Sequence, residues 1–356
     1  MSLQLLPEEP TICPECLRED TLGMEDTLCA GCGKRPSAAA QRLIRTLGLT
    51  AIQALGWPGH GKSTFLAALT LVLRRMGMVW NGFFCSALTE SSHRKLRELN
   101  TYLATGALPP PTAEEGGTVL LLLKNAAAWG DRLLVYRDCP GELFEGFDVQ
   151  IDRLPLFQRA PVVFLILSLT DLKGVAGGRS LEMLMETLVH SLGQLPEPAR
   201  QRRCAVVVLT KADSIPDLPP LVRSYLISDR LWAALDPGLR AAADGERAGA
   251  GDLTPEPGTE AYRERMAAAG DAIQAWLEAV PAGRNLVRMA ENHDLALRFC
   301  AVSATGSQAD DNGFLSAPWH PRRVLDPLLW ALDFDPRRLS FIDLPDEPVG
   351  RRTGAW

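Results

Sequence analysis

Gly56-Trp57-Pro58-Gly59-His60-Gly61-Lys62-Ser63 lies between an apolar run at 51–55 and a helix-like run, FLAALTLVLRR, at 65–75. The octet fits GxxxxGK[ST], and a strand before it and a helix after it are the context in which such a loop cradles phosphate. Gly56, Gly59 and Gly61 let backbone N–H groups curl around phosphate oxygens, and the following helix N-terminus adds positive potential. Lys62 supplies a point charge between the β- and γ-phosphates and Ser63 a hydroxyl for Mg²⁺, with Thr64 beside it. His60 reads as an exposed loop side chain, with contact to phosphate or to a partner as the other reading.

Apolar runs at 51–55, 79–86, 119–123, 133–137, 162–168, 205–209 and 297–302 alternate with helical patterns. Several are nearly continuous, as in strands covered on both faces, so the chain is predicted to be α/β with a mainly parallel sheet between helical layers. Ser180 is placed to cap a helix carrying Leu181, Leu184, Leu188 and Leu192 on one stripe, and Leu96, Leu99 and Leu103 repeat that spacing. Between 214 and 294 no strand is legible, which predicts a helical insertion. Within it, 236–258 is rich in Gly, Ala and Pro and is expected to be a mobile loop, while Tyr262, Met266, Ile273 and Leu277 share one helical face. The expected organisation is a small module at 1–40, the α/β domain at 41–340 and a tail at 341–356.

Of the 356 residues 46% are hydrophobic and 22% charged, enough apolar surface for a sizeable core. Lys plus Arg total 37 against 43 Asp plus Glu, and a net charge of −6 argues against a general nucleic-acid binder. No apolar run approaches the roughly 18–20 residues of a membrane span. The acidic N-terminus lacks the apolar core of a signal peptide, so a cytoplasmic location is expected. There, the eight cysteines are ligands, thiols or core residues rather than disulfides. Cys13, Cys16, Cys29 and Cys32 form two CxxC pairs separated by twelve residues, the pattern of a closed Cys₄ zinc ribbon. Residues 1–36 carry seven acidic and three basic side chains, so this ribbon is expected to dock a protein rather than nucleic acid. Cys85, Cys204 and Cys300 fall in predicted strands, whereas Cys139 stays open between an oxidation-sensitive thiol and a small packing residue.

Three further segments stand at strand ends: Asp138-Cys139-Pro140-Gly141, Thr210-Lys211-Ala212-Asp213 and Ser303-Ala304-Thr305. With the phosphate loop, in this order, they resemble the DxxG, [NT]KxD and SA[KLT] motifs of the TRAFAC-class GTPases, Ras-like in the broad sense. The resemblance covers about 48–306. It implies the three-layer P-loop GTPase fold and binding of GTP or GDP with Mg²⁺. It also implies that Asp138 holds the metal through water, that the Gly141 N–H senses the γ-phosphate, and that Thr112 reaches the metal, with Thr118 as rival. The choice of base has its own chemistry. Guanine offers two donors, N1–H and the 2-amino group, to one carboxylate, while adenine presents a bare acceptor there. Asp213 is accordingly expected to read guanine, the Lys211 stem to lie over the base and the Ala304 N–H to meet O6. Glu142 stands where these GTPases place a water-orienting glutamine. It reads either as a catalytic carboxylate or as a solvated loop residue, and slow hydrolysis rescued by a partner or by dimerisation is expected.

The ribbon, GALPPPT at 106–112, DCPGE at 138–142 and HPRRVLDPLLWAL at 320–332 further resemble the bacterial double-GTPase group of conflict-associated proteins. That likeness implies a second GTPase and effector or sensor proteins as partners. Two other functions stay open: a P-loop ATPase, because the run into Asp138 also suits a Walker B strand, and a non-hydrolysing, nucleotide-loaded scaffold, because of Glu142.

Overall fold

The computed structural model describes residues 11–14, 19–20, 28–110, 117–139, 141, 160–168, 203–235, 256–279, 281–293, 295–310 and 312–334. Its strands are β1 (Thr11–Ile12), β2 (Glu19–Asp20), β3 (Gly48–Leu55), β4 (Phe84–Ala87), β5 (Gly117–Ala126), β6 (Gly130–Asp138), β7 (Val162–Ser168), β8 (Cys204–Thr210) and β9 (Ala296–Ala301). Its helices are α1 (Ala38–Thr46), α2 (Lys62–Arg75), α3 (Glu90–Thr105), α4 (Pro220–Ile227), α5 (Leu231–Leu235), α6 (Glu260–Glu278), α7 (Pro281–Asn292) and α8 (Asp326–Phe334). The strands β1 and β2 form an antiparallel pair of their own, and the others form one seven-stranded sheet in the order β4-β5-β6-β3-β7-β8-β9. Strand β5 is antiparallel to both neighbours; β6, β3, β7, β8 and β9 are mutually parallel.

Side-chain alternation sorts this sheet into layers. Val162, Phe164 and Ile166 of β7 and Val206 and Val208 of β8 face a core shared with α2, α3, α5 and α8. Their neighbours Val163, Leu165, Leu167, Ala205, Val207 and Leu209 face the opposite core, against α4, α7 and the later turns of α6. Helix α1 covers the remainder of that face through Ala40 and Ile44, on Leu49, Ala51, Leu133 and Val135. Every residue of β7 and β8 is buried, and each buried Val, Leu, Ile or Phe is worth about 1.5–3 kcal/mol. Both central strands are thereby committed to the interior, as their uninterrupted apolar runs predicted.

Two expectations change in detail. The run at 79–86 is not one strand: a 3₁₀ turn, Met76–Met78, ends α2, and only Phe84–Ala87 pairs. Trp80 and Phe83 reach the core after this turn as a T-shaped pair, at 5.2 Å between centroids, so their apolarity reflects burial without extension. The α6 stripe is buried as predicted, but Tyr262 and Met266 enter one core and Ile273 and Leu277 the other, because α6 packs along the edge strand β9. At the end of the expected mobile loop, Pro257 accepts a hydrogen bond from Trp80 Nε1 at 2.8 Å. The rest of that loop, the helix expected at 181–192 and the tail at 341–356 lie outside the described residues.

A buried polar network ties α4 and α6 to α8. Tyr225 and Tyr262 donate to the two carboxylate oxygens of Asp326 at 2.7 and 2.5 Å. Arg323 stacks 3.6 Å over the Tyr225 ring, and its Nε donates to the Tyr225 carbonyl at 3.0 Å. Asp229 accepts from the Arg323 backbone N–H. Burial pushes the Asp326 carboxyl up to about 6, against the lowering effects of Arg323 and the two phenols. A raised folded-state value means that the folded chain holds a proton the unfolded chain has released, so this contribution is full below about pH 4 and is lost as pH rises through about 6. Removing a phenol raises the folded value further. Tyr262→Phe is therefore expected to cost roughly 1–3 kcal/mol in urea unfolding, and more at pH 8 than at pH 5. An equal cost at both values contradicts this role for Asp326.

Candidate functional site

Because β3, β6, β7, β8 and β9 are parallel, their C-terminal ends share one edge of the sheet, and the motif loops leave from it. The loop after β3 turns into α2, whose cap, Gly61, has φ 82° and whose own first turn carries no acidic side chain. A Cβ on Gly56 would stand 2.4 Å from the Ile166 carbonyl oxygen, so this loop is seated directly on β7. Lys62 is buried and donates from Nζ to the carbonyls of Gly56 (2.7 Å) and Trp57 (3.0 Å). Phosphate oxygens are stronger acceptors than these carbonyls, so the ammonium is already poised over the loop. Ser63 Oγ donates to Asp138 Oδ2 at 2.8 Å, joining the start of α2 to the end of β6. Gly141 lies against the same loop: a Cβ there would be 2.2 Å from Pro58 N, so no side chain fits.

Two contiguous cavities open at this edge. The smaller, about 160 Å³, is lined by Pro58, Gly59, Gly61, Lys62, Ser63, Thr64, Leu108, Pro109, Pro110 and Gly141, a set with one cation and no carboxylate. The larger, about 470 Å³, shares Gly59, Gly61, Thr64 and Leu108 and extends to Thr210, Lys211, Asp213, Ser214, Ala304, Thr305, Gln308 and Leu315. The fold thus brings the phosphate loop, the TKAD segment and the SAT segment around one space. Thr210 Oγ1 donates to the His60 carbonyl (2.8 Å) and the Leu167 carbonyl (3.1 Å), fastening the phosphate loop to the ends of β7 and β8. Lys211 takes the left-handed conformation (φ 53°) that turns the chain, and Ala212 N–H bonds to the Val302 carbonyl at 3.1 Å, bringing the TKAD and SAT segments together. The Ser303 hydroxyl accepts from Gly306 N–H at 3.0 Å, which shapes the SAT loop from within.

His60 corrects the sequence reading. Its side chain is 4% exposed, packs edge-on to Trp57 at 5.4 Å, and Nδ1 accepts from Ser168 N–H at 3.3 Å. It lines neither cavity and braces the loop from beneath. Cys139 also resolves. It is buried, its sulfur accepts from Gln53 Nε2 at 2.9 Å, and burial pushes the thiol up to about 12. A thiol that stays protonated at neutral pH is a poor nucleophile, so Cys139 is a packing residue. Burial likewise raises Cys85 and Cys204 to about 12. Thr118 lies within β5, paired with Arg137, whereas Thr112 and Glu142 lie outside the described residues. Leu108, Gln308 and Leu315 were not legible as site residues. Leu108 stands within the GALPPPT run and Gln308 and Leu315 belong to no motif; tertiary pairing brings all three to the cavity.

At the N-terminal end, the sulfurs of Cys13, Cys29 and Cys32 lie within 4.8 Å of one another, with Cys13 and Cys32 at 3.7 Å. That is far beyond a disulfide bond and close to the edge of a thiolate tetrahedron around zinc, about 3.8 Å for Zn–S bonds near 2.3 Å. Gly31 N–H bonds to Cys29 Sγ at 3.3 Å and Gly33 N–H to the Cys29 carbonyl at 2.7 Å, the turn that presents a knuckle sulfur. Cys16, the expected fourth ligand, lies outside the described residues. The three thiols fit a metal of zinc's size and softness.

No protein-family model and no curated protein matches the sequence. Several solved structures align with it at low similarity. They include bacterial selenocysteine-specific elongation factor EF-Sec (12% identity, 72% of this chain and 26% of that one, TM-score 0.26). The GTPase-like domain of Saccharomyces cerevisiae Ski7, bound to GDP and inorganic phosphate, aligns at 13% identity over 83% of this chain and 52% of that one (TM-score 0.35). The mammalian SRP receptor aligns at 14% identity over 71% and 91% (TM-score 0.29). Scores this low carry no inference about activity.

Proposed function

We propose that this chain binds guanine nucleotides with Mg²⁺ and hydrolyses GTP slowly to GDP, as a switch read by a protein partner. One observation carries the reading: Asp213, exposed, lines a cavity continuous with the one where Lys62 and Ser63 stand, so base-reading and phosphate-binding groups surround one elongated space. The run of β6 into Asp138 fits an ATPase equally; Asp213 separates the two, because a carboxylate meets two guanine donors and repels adenine N1. Lys211 and Ala304 flank the same space. On the phosphate side, Lys62 would exchange its two carbonyl acceptors for phosphate oxygens, and the Ser63–Asp138 pair would hold Mg²⁺ with Thr112. Mg²⁺, when bound, neutralises charge developing on the β- and γ-phosphates. Gly141 presses on Pro58, so a ligand oxygen at the loop reaches the DxxG segment without an intervening side chain.

Slow turnover follows from Glu142, whose carboxylate adds negative charge beside the γ-phosphate where glutamine would orient water. A protein in trans, a second GTPase or a second copy, supplies the missing group. This fits a bacterial defence or signalling system of the double-GTPase kind. No helix among the described residues is long and apolar enough to cross a membrane. The acidic N-terminal module, with Zn²⁺ held by Cys13, Cys16, Cys29 and Cys32, is a protein-docking element, its metal a cross-link between knuckles rather than an open catalytic position.

Asp213→Asn replaces an acceptor with a donor. It is expected to weaken GDP binding by roughly 100-fold and to strengthen xanthosine diphosphate, whose C2 carbonyl accepts that donor. Unchanged GDP affinity in the variant sinks the guanine reading. In single-turnover hydrolysis Glu142→Gln should accelerate the isolated chain and Lys62→Ala should abolish turnover; no turnover in wild type and Glu142→Gln alike favours the scaffold. For the ribbon, a chromophoric chelator is expected to release about one zinc per chain from wild type and far less from Cys29→Ser. Equal metal content in both excludes the cysteine cluster as the site.

A further inference from the structure

The loop after Ser303-Ala304-Thr305 does not end at the base-reading edge. It continues into a hairpin whose arms, 306–310 and 312–316, meet at an Ala309–Leu315 bridge. At its tip Asp310 Oδ1 accepts from the N–H groups of Asn312 (2.9 Å) and Phe314 (2.8 Å). The outer arm then pairs with the segment that leaves α3. Ala107 and Phe314 form an antiparallel bridge, flanked by Leu108 N–H to the Gly313 carbonyl and Leu315 N–H to the Gly106 carbonyl, both 2.8 Å. On the inner arm, Gln308 Nε2 donates to Ser214 Oγ at 3.2 Å, next to Asp213. Leu108 and Leu315, brought together by this pairing, line the larger cavity, and Leu108 lines the smaller one too.

The contacts close a ring. It runs from the TKAD segment through Gln308 into the hairpin, across the Ala107–Phe314 bridge, and on to Leu108, Pro109 and Pro110, which line the smaller cavity. Only the two backbone hydrogen bonds of one short bridge, between half-buried residues, hold its last link, the kind of contact that opens locally without global unfolding. We propose that this hairpin is a nucleotide clasp: Leu108 and Leu315 cover the bound nucleotide between base and phosphates, and release requires the Ala107–Phe314 bridge to part. The clasp rests on the guanine-nucleotide reading and adds to it a gate on exchange. Phe314, 51% exposed on the outer side, is accessible for opening it.

The bridged pair is flanked by its hydrogen bonds rather than joined by them, the narrow antiparallel site where Cα atoms lie about 4.5 Å apart and a disulfide fits. The test is a double variant, Ala107→Cys with Phe314→Cys, in the full chain loaded with mant-GDP and chased with excess GDP. Oxidation is expected to slow mant-GDP release by roughly tenfold or more, dithiothreitol to restore it, and identically treated wild type to stay unchanged. Asp310→Ala, which loosens the hairpin tip without altering a cavity-lining side chain, is expected to accelerate release severalfold. It also decides the matter if the stapled chain does not fold. Release unaffected by the closed staple, or by Asp310→Ala, overturns the clasp while leaving the guanine site intact. Failure of wild type to take up mant-GDP overturns the nucleotide reading itself, and the clasp with it.

Discussion

Parallel strands buried on both faces leave their connecting chain only the two edges of the sheet, and they send every C-terminal end to the same one. In this protein β7 and β8 are buried at each position, and β3 and β6 lie between helical layers. The motif loops and their polar groups are therefore gathered at one edge by the same burial that holds the fold together. The hydroxyl of Thr210, bonded to both the His60 and Leu167 carbonyls, shows how tightly neighbouring strand ends are then joined. Lys62, Ser63 and Asp138 gain their proximity from this arrangement, although 75 residues separate Ser63 from Asp138.

What could be read from the sequence follows the same division. Uninterrupted apolar runs marked the parallel strands because both their faces need apolar cover. The Tyr262-Met266-Ile273-Leu277 stripe marked α6 because one side of a helix must be buried. The run at 79–86 misled because a compact turn can bury Trp80 and Phe83 as completely as a strand can. His60 misled for a related reason: a loop curled around phosphate has an underside, and this side chain fills it. Gln308 and Leu315 had no local signal, and Leu108 stood in GALPPPT with nothing to place it at the cavity. Their place at the cavity depends on bridges between segments some two hundred residues apart, which neither spacing nor periodicity encodes.

The cysteines separate by environment. Cys13, Cys29 and Cys32 converge with their sulfurs together, while burial suppresses ionisation of Cys139, Cys204 and Cys300. The acidic surplus in 1–36 leaves the cysteine-bearing end poorly suited to phosphate.

In the proposed function Asp213 and Lys62 address the two ends of one guanine nucleotide. Titration calorimetry of the full chain with GDP and ADP, each with Mg²⁺, tests it most directly. The account predicts stoichiometric binding of GDP and no measurable binding of ADP. Tight binding of ADP with none of GDP would contradict it.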